Sequence, residues 1–255
     1  MQTIKARTLV EALDPIRARG ALETVRRLIQ RINEIMIFAV NTGLTDVNPA
    51  SGIGMAFEKP SKKHMPTLRP EELPKLMQSL TMSNLSVTTR RLIEWQLLTL
   101  VRPSEASGTR WEEVNLELNI WKISAVRMKA KREHLVPLSL QSAEILKIMK
   151  KISGNREYVF PTRNNPLKPM NSQTANAALK RIGYCRKLVA HRLRSITSTA
   201  MNEAEFNSDV IEAALAHADK NEVRRAYNRS IYLEQRVALM NWWGDFVKKN
   251  MDDSK

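Results

Sequence analysis

Apolar positions recur at helical spacing through the first forty residues. Leu22, Val25, Leu28, Ile29, Ile32, Ile35, Met36, Ala39 and Val40 fall three and four apart, while Arg26, Arg27, Gln30 and Arg31 take the other face. Such a stripe is what a 3.6-residue repeat produces, so the pattern predicts helix over 7–41. Gly20 and Gly43 punctuate it, and Asn48-Pro49 starts a further short element. The periodicity stops at Glu58-Lys-Pro-Ser-Lys-Lys-His-Met-Pro66, which is polar and broken by proline. That composition suits a linker between domains, placing one domain at 1–57, the linker at 58–66 and a second domain at 67–255.

Beyond the linker, Arg69-Pro-Glu-Glu-Leu-Pro74 opens a helix, with Pro70 suited to a first turn. Residues 87–101 predict a strongly apolar helix. Residues 111–116, 120–123 and 134–138 predict three short strands, the last two joined through Ser124–Glu133. Tyr158-Val-Phe-Pro161 is a short extended piece. Helical spacing returns over 139–152, 172–182, 191–204, 208–216 and 231–249. The fold class expected is mainly α with one small antiparallel β-sheet.

Charge changes the picture next. Lys plus Arg number 41 against 26 Asp plus Glu, a net +15 over 255 residues. An excess of this size suits a polyanion, nucleic acid before a membrane surface. No run approaches the roughly 18 apolar residues that span a bilayer, and the start lacks the apolar stretch of a signal peptide. The single Cys185 excludes an internal disulfide framework and a cysteine-based zinc site, and fits a reducing, cytoplasmic setting. No Asp/Glu cluster for two metals and no Walker-type glycine loop occurs, so neither metal nor cofactor is expected.

Five pieces of the second domain carry candidate chemistry. Arg102, in Thr99-Leu-Val-Arg-Pro-Ser-Glu105, follows the apolar helix. Its guanidinium fork can hold two phosphate oxygens, with Glu105 as a buttress; by itself it is equally an ordinary Arg–Glu pair. Lys129 lies in the basic run Arg127-Met-Lys-Ala-Lys-Arg132. A turn lysine can protonate a leaving oxygen, although solvated basic turns are commoner. His191 and Arg194 sit three apart, on one face of a helix start, where both can converge on one anion. His217 precedes Tyr227 by ten residues, and Tyr227 is set among Arg224, Arg225 and Arg229. A phenol with pKa near 10 needs such cations, or a base, to attack at neutral pH. Lys59, Lys62, Lys63, Lys131, Arg132 and Arg192 are further candidates for phosphate contact.

Taken in order, Arg, a strand-turn Lys, His-x-x-Arg, His and Tyr resemble the signature of tyrosine recombinases. The stretch from Asp209 through Tyr227-Asn-Arg229, then Tyr232 and Trp242-Trp243, is similar to phage and genomic-island integrases that insert at transfer RNA genes. The resemblance covers essentially the whole chain: 1–57 is similar to the family's helical core-binding domain and 64–255 to its catalytic domain. One departure is His191-Arg-Leu-Arg-Ser195, where that subgroup usually carries Gly-Phe-Arg-His after the box histidine. Relatives also begin with an arm-site-binding domain, so the resemblance implies that the chain is part of a longer protein.

The resemblance implies a mechanism. Arg102 and Arg194 hold the non-bridging oxygens, Tyr227 attacks phosphorus, Lys129 protonates the 5′ oxygen, His191 assists the tyrosine and His217 bonds the phosphate. The implied partners are double-stranded DNA at an attachment-site core and other protomers in a DNA-bound tetramer, in the bacterial cytoplasm at the nucleoid. A type IB topoisomerase-like enzyme would share the nucleophile and arginines. A non-catalytic DNA-binding regulator or accessory factor of the same fold is the alternative from another class. The amphipathic segment with Leu239, Met240, Trp242, Trp243 and Phe246 either docks on a neighbouring protomer or packs on its own domain.

Overall fold

The computed structural model describes residues 4–61, 65–129, 131–217 and 232–252. The chain divides into two compact units, Met1–His64 and Met65–Lys255.

In the smaller unit the long helical stretch is two helices, α1 (Ala6–Ala18) and α2 (Leu22–Asn41). Gly20 separates them at φ 73°, its N–H bonded to the Arg17 carbonyl at 2.7 Å. A residue with a Cβ would be strained in that left-handed conformation. Val25 and Met36 of α2 close a small core with Leu13, Ala50 and Ile53. Asn48 ties the following turn back to α2: its amide donates to Asn33 at 2.6 Å and its Oδ1 accepts the Ala50 N–H at 2.8 Å. The short element expected there is the 3-10 turn Ile53–Ala56.

The larger unit is mainly helical: α3 (Leu73–Met82), α4 (Val87–Thr99), α5 (Pro103–Ser107), α6 (Leu140–Ser153), α7 (Thr174–Leu179), α8 (Leu193–Glu203), α9 (Ser208–Ala214) and α10 (Leu233–Asp252). Strands β1 (Val114–Asn115), β2 (Ile120–Ile123) and β3 (His134–Pro137) form one antiparallel sheet in that order. Helix α4 is the central post, since every residue from Leu92 to Thr99 is buried, as an all-round buried helix requires. Ser86 caps its start by accepting the Thr89 N–H. Trp95 on α4 lies 5.2 Å from Trp121 of β2, ring centre to ring centre, so sheet and helix share one core.

The sheet alternates as a half-buried sheet should. Trp121 and Ile123 point inward, whereas Lys122 points out and pairs with Glu133 at 3.1 Å. In β3 the register sets Trp121 opposite Val136 and Ile123 opposite His134. His134 is therefore on the core side.

Two expected elements differ, and the C-terminal helix resolves an open choice. The strand over 111–116 is a 3-10 turn at Trp111–Glu113 followed by only two strand residues. Glu113 turns inward to take bonds from the Arg110 N–H, the Trp121 indole and Arg127. The helix over 172–182 ends at Leu179 and kinks where Gly183 adopts φ 94°. The C-terminal helix packs on its own unit: Leu239, Met240 and Trp243 are buried, and the Trp243 indole donates to the Leu97 carbonyl of α4 at 2.9 Å. No helix among the described residues is long and apolar enough to cross a membrane.

Candidate active site

Arg102 is not the last turn of α4 but the residue that caps α5. Helix α4 stops at Leu100, which takes a left-handed φ of 60°, and Pro103 then fixes the first turn of α5. Glu105, one turn on, accepts the Arg102 backbone N–H at 2.8 Å and its guanidinium at 3.1 Å. Glu105 is 2% exposed and the Arg102 side chain 18%. Removing a partner from so buried a pair strands a charge, so each residue fixes the other. Arg127 secures α5 from the sheet side, donating to the Glu105 carbonyl at 2.9 Å and pairing with Glu113.

His191 and Arg194 stand where the 3-10 turn Ala190–Arg192 runs into α8. The residue before His191 is held by both backbone groups. Asn176 of α7 accepts the Ala190 N–H at 2.7 Å, and Gln96 of α4 donates to the Ala190 carbonyl at 2.7 Å. The His191 imidazole sits below its ordinary pKa, because partial burial and then the charges of Arg194, Arg102, Arg192 and Lys129 oppose protonation. These four cations thus act on one imidazole. It is neutral at pH 7 and able to accept a proton.

Arg194 is 5% exposed. One guanidinium nitrogen donates to the Leu215 carbonyl at 2.5 Å, and Nη1 has no hydrogen-bond partner among the described residues. Burial first and the Arg102 charge second lower its pKa to about 10, against the pull of Glu105 and Glu212. It stays charged at pH 7, which leaves a buried cation with an unused donor.

His217 is exposed, and its Nδ1 lies 2.6 Å from Glu212. It follows α9 through Ala216, a non-glycine residue at φ 49°. Lys129 is exposed in the turn between β2 and β3, anchored by the buried Met128 beside it. Lys131 and Arg132 are exposed in the same turn, and Lys59 is exposed in the smaller unit. Arg192 is half-buried and donates to Ser195 at 3.2 Å. Tyr227, Arg224, Arg225 and Arg229 lie outside the described residues, as do Lys62 and Lys63. Among the described residues no three His, Cys, Asp or Glu side chains gather as a metal site needs.

Residue-by-residue reading passed over Gln96, Asn176, Arg127, His134 and Arg236. His134 is 8% exposed, with burial and the charges of Arg236, Arg194 and Arg102 lowering its pKa to about 3. Arg236 of α10 donates to the Leu135 carbonyl of β3. The one sequence signal for His134 is strand parity, a polar residue two before Val136 on the inward face. A glutamine or asparagine in an apolar helix gives no comparable sign.

Residues 66–234 match the phage integrase family, and residues 1–56 match the phage integrase central domain. The chain is 61% identical to the prophage integrase IntA of Escherichia coli K12 over 96% of its own length and 34% identical to the integrase of Enterobacteria phage P4 over 98%. It spans 59% and 61% of the lengths of those two relatives. In fold it is similar to a lambda integrase dimer bound to a core site, at 15% identity and TM-score 0.66, with 90% of this chain and 81% of that one covered. A Tn1549 transposon integrase in complex with a circular intermediate DNA gives TM-score 0.70 at 14% identity, covering 90% of this chain and 86% of that one. A strand-turn lysine, two buried-edge arginines and a histidine between them are thus found within a matched stretch that takes in most of the larger unit: the chain belongs to the phage integrase family.

Proposed function

We propose that the chain is the DNA-cleaving portion of a site-specific recombinase, acting through Tyr227 to integrate or excise a mobile element. The observation that carries this reading is electrostatic: Arg102, Arg194, Arg192 and Lys129 all bear on His191, and Arg194 keeps a buried donor unused. A phosphodiester is the anion that such a cluster suits, since an Arg fork binds two oxygens at once. Residues 1–57 serve as the core-binding domain and 67–255 as the catalytic domain.

In this reading Arg102 and Arg194 bind the non-bridging oxygens of the scissile phosphate, where negative charge grows in the transition state. Tyr227 forms a bond to phosphorus as the bond to the 5′ oxygen breaks, leaving a 3′-phosphotyrosine. The phenol proton passes to neutral His191, and Lys129 gives its proton to the departing 5′ oxygen. His217 bonds the phosphate, and Glu105 holds Arg102 in place. The link conserves the phosphodiester energy, so a 5′ hydroxyl from another strand can reverse the step without nucleotide hydrolysis.

What supports Tyr227 as nucleophile is the occupation of the other three tyrosines. Tyr184 is buried with its hydroxyl 3.4 Å from Ser79. Tyr158 stacks under Arg110 at 5.5 Å, and Tyr232 packs against the core. Lambda integrase is seen as a dimer on a core site and as a tetramer on a Holliday junction, and the same assembly on double-stranded DNA is proposed here, in the cytoplasm at the nucleoid. The test is a nicked suicide duplex carrying the element's attachment core. Covalent trapping that Tyr227→Phe abolishes and Tyr232→Phe spares supports the reading; a mobility shift without trapping makes the chain a DNA-binding accessory factor.

A further inference from the structure

A helix leaves its last carbonyls without intrahelical partners. Near the end of α5 the Ser104 carbonyl takes the Gly108 N–H at 3.2 Å, and the Ala106 carbonyl takes the Thr109 N–H at 3.3 Å and hydroxyl at 2.8 Å. The Glu105 carbonyl takes a side chain from the sheet, Arg127, whose Nη2 donates at 2.9 Å from 22 residues along the chain. Its Nη1 donates to Glu113, which the Arg110 N–H and the Trp121 indole also hold. One planar guanidinium thus spans two fixed acceptors, a task that an ammonium cannot repeat. Gly108 leaves room for it. A Cβ there would lie 2.7 Å from Nη2 of Arg127, and Gly108 has φ −90°, so the missing Cβ serves the guanidinium and not the backbone.

The bond is mutual, but its two ends are unequally held. Helix α5 is fixed by Pro103 at its start, by the Glu105–Arg102 pair and by the buried Ala106. The turn that joins β2 to β3 has less. Backbone bonds from Arg127 to Ser124 and from Met128 to Ala125 shape it, and Val126 is 96% exposed. Met128 is its buried residue among those described, and Arg127 is its side chain bonded to the rest of the fold. Lys129, exposed, comes two residues after Arg127.

We propose that Arg127 is a positioning residue: it straps the Lys129 turn to α5, so that the group protonating the leaving oxygen stays in register with the Arg102 that holds the phosphate. The effect on catalysis rests on the recombinase reading, while the strap itself does not. In that step the bond from the Tyr227 oxygen to phosphorus forms, the bond from phosphorus to the 5′ oxygen breaks, and this oxygen takes the Lys129 proton. A drift near 1 Å in a catalytic group costs about 100-fold in rate. Arg102, kept by Glu105, does not drift with the turn.

Sulfur in place of the bridging 5′ oxygen separates the two groups. A thiol ionises near pH 8.5, so a thiolate departs without a proton, while the non-bridging oxygens still need their arginines. On saturating suicide duplex, Arg127→Met should trap all-oxygen DNA about 100-fold more slowly than the natural chain at unchanged affinity, and should trap the sulfur duplex at close to the natural rate. Gly108→Ala keeps every charge and displaces Nη2, so it should show the same pattern to a smaller degree; it decides the matter if tryptophan fluorescence shows that Arg127→Met loses its fold. Arg127→Met added to Lys129→Ala should cost little more than Lys129→Ala, since the two act at one step. Amide exchange should quicken at 127–129 in Arg127→Met and stay unchanged at 103–107. Equal slowing on the two duplexes, or natural-rate trapping of the all-oxygen duplex, overturns the proposal. If the unmodified chain traps neither duplex, the recombinase reading fails instead, and exchange still decides the strap: an unchanged rate at 127–129 overturns it.

Discussion

Acid should weaken the larger unit through His134, and a His134→Asn chain should escape that part of the loss. The imidazole titrates at about 3 in the folded protein, against 6.5 ordinarily, because it is buried and faces the charges of Arg236, Arg194 and Arg102. A depressed folded value means that between those two pH values the unfolded chain binds the proton and the folded chain does not. Protons therefore favour unfolding: the stability is fully present above the unfolded value and is lost as pH falls. At pH 5 the unfolded imidazole is almost wholly protonated, and the loss relative to pH 7.5 is about 2 kcal/mol. The figure hardly depends on the folded value, provided that it lies well below 5. His191, also lowered, and Glu94, raised by burial, titrate in both chains and cancel in the difference. All five tryptophans lie in the larger unit, so their fluorescence in a urea titration reports that unit alone. With an m-value near 2 kcal/mol per molar, the natural chain should lose about 1 M more midpoint than the asparagine variant between pH 7.5 and 5. Parallel losses in the two chains would refute the reasoning, since they would mean that His134 binds its proton in the fold.

Arg102→Ala or Arg194→Ala should raise the cleavage barrier by about 3 kcal/mol on saturating DNA, as loss of an oxyanion donor does, and lysine at either position should restore little; single-turnover cleavage measures both, and lost affinity with unchanged cleavage contradicts the role. DNA affinity should fall steeply between 50 and 200 mM salt, by about 1000-fold if six or so phosphates are contacted; a flat titration would show that the +15 charge is spent elsewhere. Limited proteolysis should nick residues 58–66 first, and earlier cutting within 67–255 counts against two separately folded domains.

Elements whose side chains obey one period were legible from sequence. The α2 stripe, the buried α4 and the alternation of β2 needed only the spacing of Val25, Met36, Trp121 and Ile123. What misled was polarity used inside the fold. The Trp111–Leu116 stretch reads as a strand, yet Glu113 is turned inward by three donors, a demand that no periodicity encodes. Arg102, Lys129, His191 and Arg194 were singled out because their order along the chain resembles the family signature, and the fold brings the charges of the other three to bear on His191. Their supports were not legible. Gln96 and Asn176 grip Ala190 from helices 94 and 14 residues away in sequence, and only the folded chain brings them to one residue.

The same contrast explains why the site tolerates arrangements that a purely structural core would avoid. Around His191 stand Arg102, Arg192, Arg194 and Lys129, whereas among the described residues the carboxylates that favour the charge on Arg194 are Glu105 and Glu212. Glu105 is already committed to Arg102, and Glu212 to His217. Among the described residues positive charge therefore exceeds what carboxylates neutralise, and burial is the largest influence that lowers Arg194. A buried guanidinium nitrogen without a partner costs stability, as does left-handed Ala216. Neither expense helps the fold. On the proposed recombinase reading both are useful once an anion arrives, because a guanidinium already stripped of water and fixed by Leu215 has little left to reorganise when charge develops on the phosphate. The carbonyl that orients Arg194 also belongs to the turn leading to His217, so the two groups are set by one piece of backbone.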